Sequence, residues 1–304
     1  GSPLLIAALA CGCTPGPDAA AAQATLAARR QAVAARAAAA DSGARRGKPS
    51  DAPIALWYLP ERYREISGLA LTPDGRLLAH GDEAAEIWEI DYRGGMITRT
   101  FTLGQPAEPG DFEAIAVADG RIWLMDSKAR VYEAAEGRDG DHMRFNAYDT
   151  GLADECEFEG MVYEPATGSL VLACKKAHRK RNEDALVLFR WPVPGHADST
   201  RAPERLVVPV ERFRPVGVDW KKFQASDLPR DPRSGNFVVL SSLEHGIAEI
   251  SPIGEAKRMR LHLRAGAHVD ILPAGDTLDG WLLDVRESYG WWFRRAREEA
   301  PVAA

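Results

Sequence analysis

The chain has 304 residues, 45% of them hydrophobic and 27% charged, with a formal net charge of -6 at pH 7. That length suits one large all-β domain or two smaller ones, and no run of 18 apolar residues is present to cross a membrane as a helix. Residues 1–52 are basic (six Lys/Arg, three acids), which leaves 32 bases against 41 acids in the rest. So acidic a body lacks the clustered positive face of a nucleic-acid binder, and no nucleic-acid partner is expected.

Residues 1–13 end in a short apolar run, PLLIAALACGC. It is too short to span a bilayer but has the character of the apolar core of an export signal. A cysteine after small residues resembles a bacterial lipoprotein processing site, with Cys11 or Cys13 as the lipidated residue, although Leu9 fits imperfectly two places before Cys11. The alternative is a simple secretory signal and a soluble periplasmic or secreted protein. A lipidated cysteine would hold the protein on the periplasmic face of the cell envelope without crossing the membrane. Residues 14–52 are rich in Ala, Pro, Gly and Arg and offer little to bury, so they read as a disordered tether. Within it, 19–40 could be a transient helix, because alanine has the highest helix propensity.

From residue 53 to residue 304 the reading is one β-domain built of repeats. Polar entrances lead into apolar strands at Ser67, Glu113, Glu159, Ser226 and Val269, with spacings of 46, 46, 67 and 43 residues. Each is followed by a turn, such as Thr72-Pro-Asp-Gly or Pro165-Ala-Thr-Gly, and a second apolar strand. Third strands follow at 86–90, 129–133, 185–189, 246–250 and 289–293, and fourth strands at 97–103, 143–148, 205–210 and 257–263. Periods of this length with a strand-turn-strand signature predict a single five-bladed β-propeller, with six blades as the alternative. The fifth unit runs short, and residues 54–59 would supply its outer strand and close the ring. The extra length of the third unit is assigned to loops at 175–184 and 192–203.

The entrances EISGLAL, DFEAIAV, EFEGMVY and QASDLPRD, with GDEAAEIWEID and NFVVLSSLEHGIAEIS downstream, resemble those of the SdiA-regulated-domain family of bacterial extracytoplasmic β-propellers. The resemblance covers about residues 54–293. It implies an envelope protein, related to esterase-like and phytase-like propellers, with calcium as a candidate ion. Val269 departs from the pattern, where Ser or Glu is expected.

The entrances of inner strands gather at one mouth of a propeller. The entrance column places Glu113 and Glu159 there, and the column two positions earlier adds Glu65, Asp111 and Glu157, since alternation puts residues two apart on one side. Two readings stay open for these carboxylates: hard oxygen ligands for calcium, or acceptors that pin the inner ring. The ends of the second strands add Asp82, Asp126, Lys128, Lys175, Glu244, Arg286 and Glu287 as candidate ligand contacts. The function expected is therefore binding of a small ligand or protein partner at the mouth by a monomer. The alternative is a metal-assisted phosphoesterase or esterase with Lys128, Lys175 and Arg286 holding an anion and His245 as acid or base. No nucleophile motif such as Gly-x-Ser-x-Gly supports a catalytic residue. Cys156 and Cys174 could form a disulfide in an oxidising compartment, but the expected register sets Cys174 opposite Glu159 and leaves the pairing open. Trp57, Trp88, Trp123, Trp281, Trp291 and Trp292 are expected to pack between blades.

Overall fold

The computed structural model describes residues 17–45, 55–58, 60–63, 65–178, 184–195, 201–213, 223–244, 246–261, 268–272, 281–286 and 289–294. Helix α1 (Pro17–Arg45) is followed by strand β1 (Ala55–Tyr58). The first blade contains β2 (Ile66–Leu71), β3 (Leu77–Gly81), β4 (Glu86–Asp91) and β5 (Met96–Leu103). The second contains β6 (Phe112–Ala118), β7 (Arg121–Asp126), β8 (Arg130–Ala135) and β10 (Phe145–Asp149). Between them β9 (His142–Met143) crosses back to pair in parallel with β5. The third is β11 (Cys156–Glu164), β12 (Ser169–Ala177), β13 (Ala185–Pro192) and β14 (Glu204–Pro209), and the fourth is β15 (Phe237–Ser241), β16 (Gly246–Ile250) and β17 (Ala256–Leu261). All pairings within these blades are antiparallel.

The strands read as nearly continuous apolar runs because both faces of each sheet are covered. Ala70, Leu78, Ile87 and Phe101 of the first blade meet Phe112, Ile115 and Leu124 of the second. The other face of the second blade, with Ala116, Trp123 and Met125, packs on Phe158, Leu172 and Trp191 of the third. Val171, Leu186 and Leu188 then pack on Phe237, Val239 and Ala248 of the fourth. Trp123 sits edge-on to Trp191 in the second of these seams, at 6.1 Å between ring centroids, as expected of a tryptophan between blades; Trp88 instead packs within the first blade and against Val33 of the N-terminal helix.

The blade count and closure expected from the sequence need correction. The described side chains pack as four successive blades with sheets of five, four, four and three strands, not as five or six equal blades. The remaining sheet, β1 with β18 (His268–Leu272), β19 (Trp281–Arg286) and β20 (Tyr289–Arg294), is defined by backbone register alone, with β1 beside β20. Its short β1 replaces the longer closing strand expected at 54–59. The irregularity of the fourth blade has a cause in the sequence. Residues 226–231 run beside β15 through isolated bridges, Asp227 with Leu240 and Arg230 with Phe237. Pro229 has no N–H for a continuous ladder, so the innermost strand is reduced to these bridges.

Helix α1 covers the 19–40 segment read as a transient helix within the tether, and it is docked on the first blade. It docks on the outer face of the first blade through Val33, which is buried beside Tyr63, Ile66, Trp88 and Ile90, with Ala37 against the same cluster. Arg30 Nε donates to Asp91 Oδ2 at 2.9 Å. So few anchor residues leave no broad apolar stripe to read in the sequence. Residues 1–16, with Cys11 and Cys13, lie outside the described residues, as do His245 and Glu287, and the side chains of Trp57, Trp281, Trp291 and Trp292. No described helix is long and apolar enough to cross a membrane.

Cys156 and Cys174 are joined in a disulfide. The expected register was off by one: Cys174 pairs with Phe158, not Glu159, because β11 is bulged between Phe158 and Met161. Gly160 lies in that bulge with φ +96°, and a Cβ there would come within 2.9 Å of the Asp227 and Leu228 backbone. Only glycine permits both the left-handed backbone and the close approach of the third and fourth blades. Gly160→Ala is expected to cost about 3 kcal/mol in urea unfolding; an unchanged midpoint would contradict this packing.

Candidate functional site at the strand entrances

The entrance residues share one backbone device. The register shifts between Ile66 and Gly68, between Phe112 and Ala114, and between Phe158 and Met161. Ser67, Glu113 and Glu159 are thus bulged residues at the same place in three successive inner strands. A bulge leaves its residue outside the ladder and re-aims its side chain. Here it turns polar groups of three neighbouring inner strands toward one another.

Ser67 Oγ donates to Glu113 Oε2 at 3.2 Å, which ties the first blade to the second. Lys175 Nζ, from β12, lies 2.5 Å from Glu159 Oε2 and 3.7 Å from Glu157 Oε1. Burial, then the charge of Glu159, push the Glu113 carboxyl up to about 7, against the opposing pull of Lys175 and Ser67. Burial also raises Glu159, with Lys175 working against it. Burial disfavours the Lys175 ammonium, but Glu159, with Glu113 and Glu157 around it, outweighs that and keeps it charged.

The mouth therefore holds a carboxyl that is part ionised near neutral pH beside a fixed ion pair. Because Glu113 titrates higher folded than unfolded, its protonated form is the one the fold favours. Its contribution is fully present below about pH 4.5 and is lost as pH rises through about 7. Glu113→Gln is therefore expected to stabilise the protein at pH 8.5 by about 2 kcal/mol, after allowance for solvent screening, and to have little effect at pH 4.5. Paired urea titrations at the two pH values check this; equal effects at both would refute it.

Glu157 lies on the same side as Glu159, 3.7 Å from Lys175, and the charge of Asp111 helps raise both Glu113 and Glu159. Other expected residues are placed differently. Asp111 accepts from Ser127 Oγ at 2.6 Å. Asp126 accepts from the backbone N–H groups of Lys128 and Arg130, capping a turn, and Lys128 is exposed. Glu244 accepts from the Gln224 N–H at 3.1 Å and from the Ser241 hydroxyl. Glu65 and Asp82 line a separate cleft. Arg286 is placed by its backbone in β19, and Glu287 lies outside the described residues. Residues 175–177 belong to β12 and not to a loop.

The donor set does not fit calcium, which takes six to eight oxygens. Among the described residues no three His, Cys, Asp or Glu side chains gather in a metal-holding group. The positive charge between the entrance carboxylates is that of Lys175 itself.

His80 was not singled out by its sequence. It is fully buried opposite Gly68, its Nδ1 lies 2.8 Å from the Gly81 carbonyl, and burial lowers its pKa to about 4. Its Nε2 would lie 2.4 Å from a Cβ on Gly68, the residue after Ser67. A polar residue inside the apolar run LLAHG was the only available signal.

No family model matches the chain, and no curated protein matches it. Among solved structures, the glutaminyl cyclase of Myxococcus xanthus matches with a TM-score of 0.51 at 11% identity, over 81% of this chain and 97% of that one. The chain is a β-propeller. A gluconolactonase from Xanthomonas campestris matches with a TM-score of 0.46 at 12% identity, over 75% and 72% of the two chains. The virginiamycin B lyase of Staphylococcus aureus matches at 0.42 and 12%, over 77% and 68%. At these identities the likeness concerns the fold of the propeller and not its chemistry.

Proposed function

We propose that the protein is an extracytoplasmic propeller that binds a small polar ligand at the mouth formed by Ser67, Glu113, Glu159 and Lys175. The observation that carries this reading is convergence: bulges in three neighbouring inner strands turn polar side chains toward one another. Such a constellation supplies donors and acceptors of fixed direction at the open end of a rigid scaffold. Acidic groups outnumber Lys175 there, so a ligand with an amine or other donor is favoured. Binding of such a ligand is coupled to the proton on Glu113.

The compartment is supported by the Cys156–Cys174 disulfide, since such bonds persist in oxidising surroundings. It is also supported by the apolar run that ends in Cys11 and Cys13 and by the resemblance of the strand entrances to SdiA-regulated-domain propellers. Metal-assisted ester or phosphoester hydrolysis is the less favoured reading, because the described carboxylates are engaged by Lys175, Ser67 and Ser127.

A thermal-shift screen of small amines, amino acids and sugars at pH 6 and pH 8 tests the proposal. Ligands of the mouth should raise the melting temperature of the native protein, with the size of the shift depending on pH. In Glu113→Gln that pH dependence should disappear. Hits that shift both proteins equally at both pH values would place binding elsewhere.

A further inference from the structure

The Cys156–Cys174 disulfide and the ion pairs of Lys175 depend on one irregularity of the third blade. Along β11 and β12 the pairing runs Cys156 with Ala177 and Glu157 with Lys176, then Phe158 with Cys174, then Met161 with Leu172. Lys175 is therefore an extra residue on β12 with no residue opposite it, and the matching excess on β11 falls at Glu159 and Gly160. The two bulges cancel, so only the stretch between them is displaced. A slip of one residue moves a side chain to the other face of a sheet. An unbroken register would set Cys174 opposite Glu159 and Lys175 opposite Phe158. Cys156 and Cys174 would then lie on opposite faces, and so would Lys175 and the carboxylates of Glu157 and Glu159. With the bulges, Cys156, Phe158 and Cys174 all lie in the apolar seam between the second and third blades, while Lys175 reaches Glu159 and Glu157. The change of parity shows along β12 itself. Leu170, Leu172 and Cys174 belong to that seam, and beyond Lys175 it is Ala177 that packs against it.

We propose that the disulfide is a positioning device for the mouth: it closes only in the bulged register, and so locks β12 in the register that presents Lys175 to Glu159 and Glu157. The cysteines touch no ligand. They are 1% and 6% exposed, so the bond acts from inside the seam. A cross-link that fits one arrangement of two strands and not the other favours the first by restricting the chain. The functional meaning of this lock rests on the mouth being the binding site. Its test is read without ligand, so the two proposals fail separately.

The titration midpoint of Glu113, followed by carbon-detected nuclear magnetic resonance, provides the test. Burial and then Glu159 raise this midpoint, with a smaller push from Asp111, while Lys175 and Ser67 lower it. In the double change Cys156→Ala and Cys174→Ala, Lys175 should leave Glu159, and the midpoint should rise from near 7 to the value found in Lys175→Met. Adding the two cysteine changes to Lys175→Met should move it no further. If the alanine variant fails to fold, Cys156→Val with Cys174→Val keeps more apolar volume in the seam, and sucrose favours its compact state. A midpoint that stays near 7 without the disulfide would overturn the proposal, the bond then contributing stability alone. So would a rise of equal size when the cysteine changes are made in Lys175→Met, because the effect would not then run through Lys175.

Discussion

Replacing Lys175 with methionine is expected to lower stability by about 3 kcal/mol at pH 7.5. The variant keeps most of the apolar stem but removes the ammonium 2.5 Å from Glu159 Oε2. Glu159 is only 8% exposed, so its carboxylate would stay buried without a cation. The one-third exposure of the lysine side chain keeps the expected loss at the lower end of the range for broken buried pairs. The loss should shrink as pH falls, because burial already raises the Glu159 pKa and removal of Lys175 raises it further. A protonated Glu159 no longer needs a cation. Urea unfolding at pH 7.5 and pH 4.5 reads both effects. A pH-independent loss would mean that packing of the stem, and not charge, is what Lys175 contributes.

The second large effect concerns the disulfide. Cys156 and Cys174 are 18 residues apart in sequence, and closing a loop of that length restricts the unfolded chain by about 3 kcal/mol. Dithiothreitol, or the double change Cys156→Ala and Cys174→Ala, should lower stability by that amount, and the reductant should have no further effect on the double variant. Because the bond joins the first two strands of the third blade near the Glu159 bulge, its loss should also loosen the mouth. A native protein indifferent to dithiothreitol under denaturing titration would contradict the assignment.

The repeat pattern in the sequence was strong where packing is regular. Strands such as Leu77–Gly81, Arg121–Asp126 and Ser169–Ala177 are apolar on both faces, and their spacing announced blades. It was weaker where local chemistry interrupts the pattern. Pro229 breaks the innermost strand of the fourth blade, and the helix Pro17–Arg45 is anchored by too few apolar residues to stand out from an alanine-rich tract. The site was legible in part: the column Ser67, Glu113, Glu159 was read correctly as a set of aligned strand entrances. The bulges that make the set converge were not legible, since a bulge has no strict sequence signature when its extra residue is Ser or Glu. Alternation also grouped Glu65 with these residues, whereas Glu65 lines a separate cleft; Asp111, which accepts from Ser127, lies near enough to raise Glu113 and Glu159. The role of Lys175 as the cation among these carboxylates depended on the register of β12 against the bulged β11, which the sequence placed one residue off.

Bulges in three blades set Ser67, Glu113 and Glu159 beside one another, with Lys175 of β12 against Glu159. Titration of the Glu113 side-chain carboxyl by carbon-detected nuclear magnetic resonance tests this arrangement most directly, with Glu113→Gln identifying the signal. The convergence predicts a midpoint near 7, well above the ordinary value of 4.5, and a further rise when Lys175 is replaced by methionine. A midpoint near 4.5 that does not respond to Lys175→Met would mean that Glu113 stands alone in solvent, and the mouth described here would not exist.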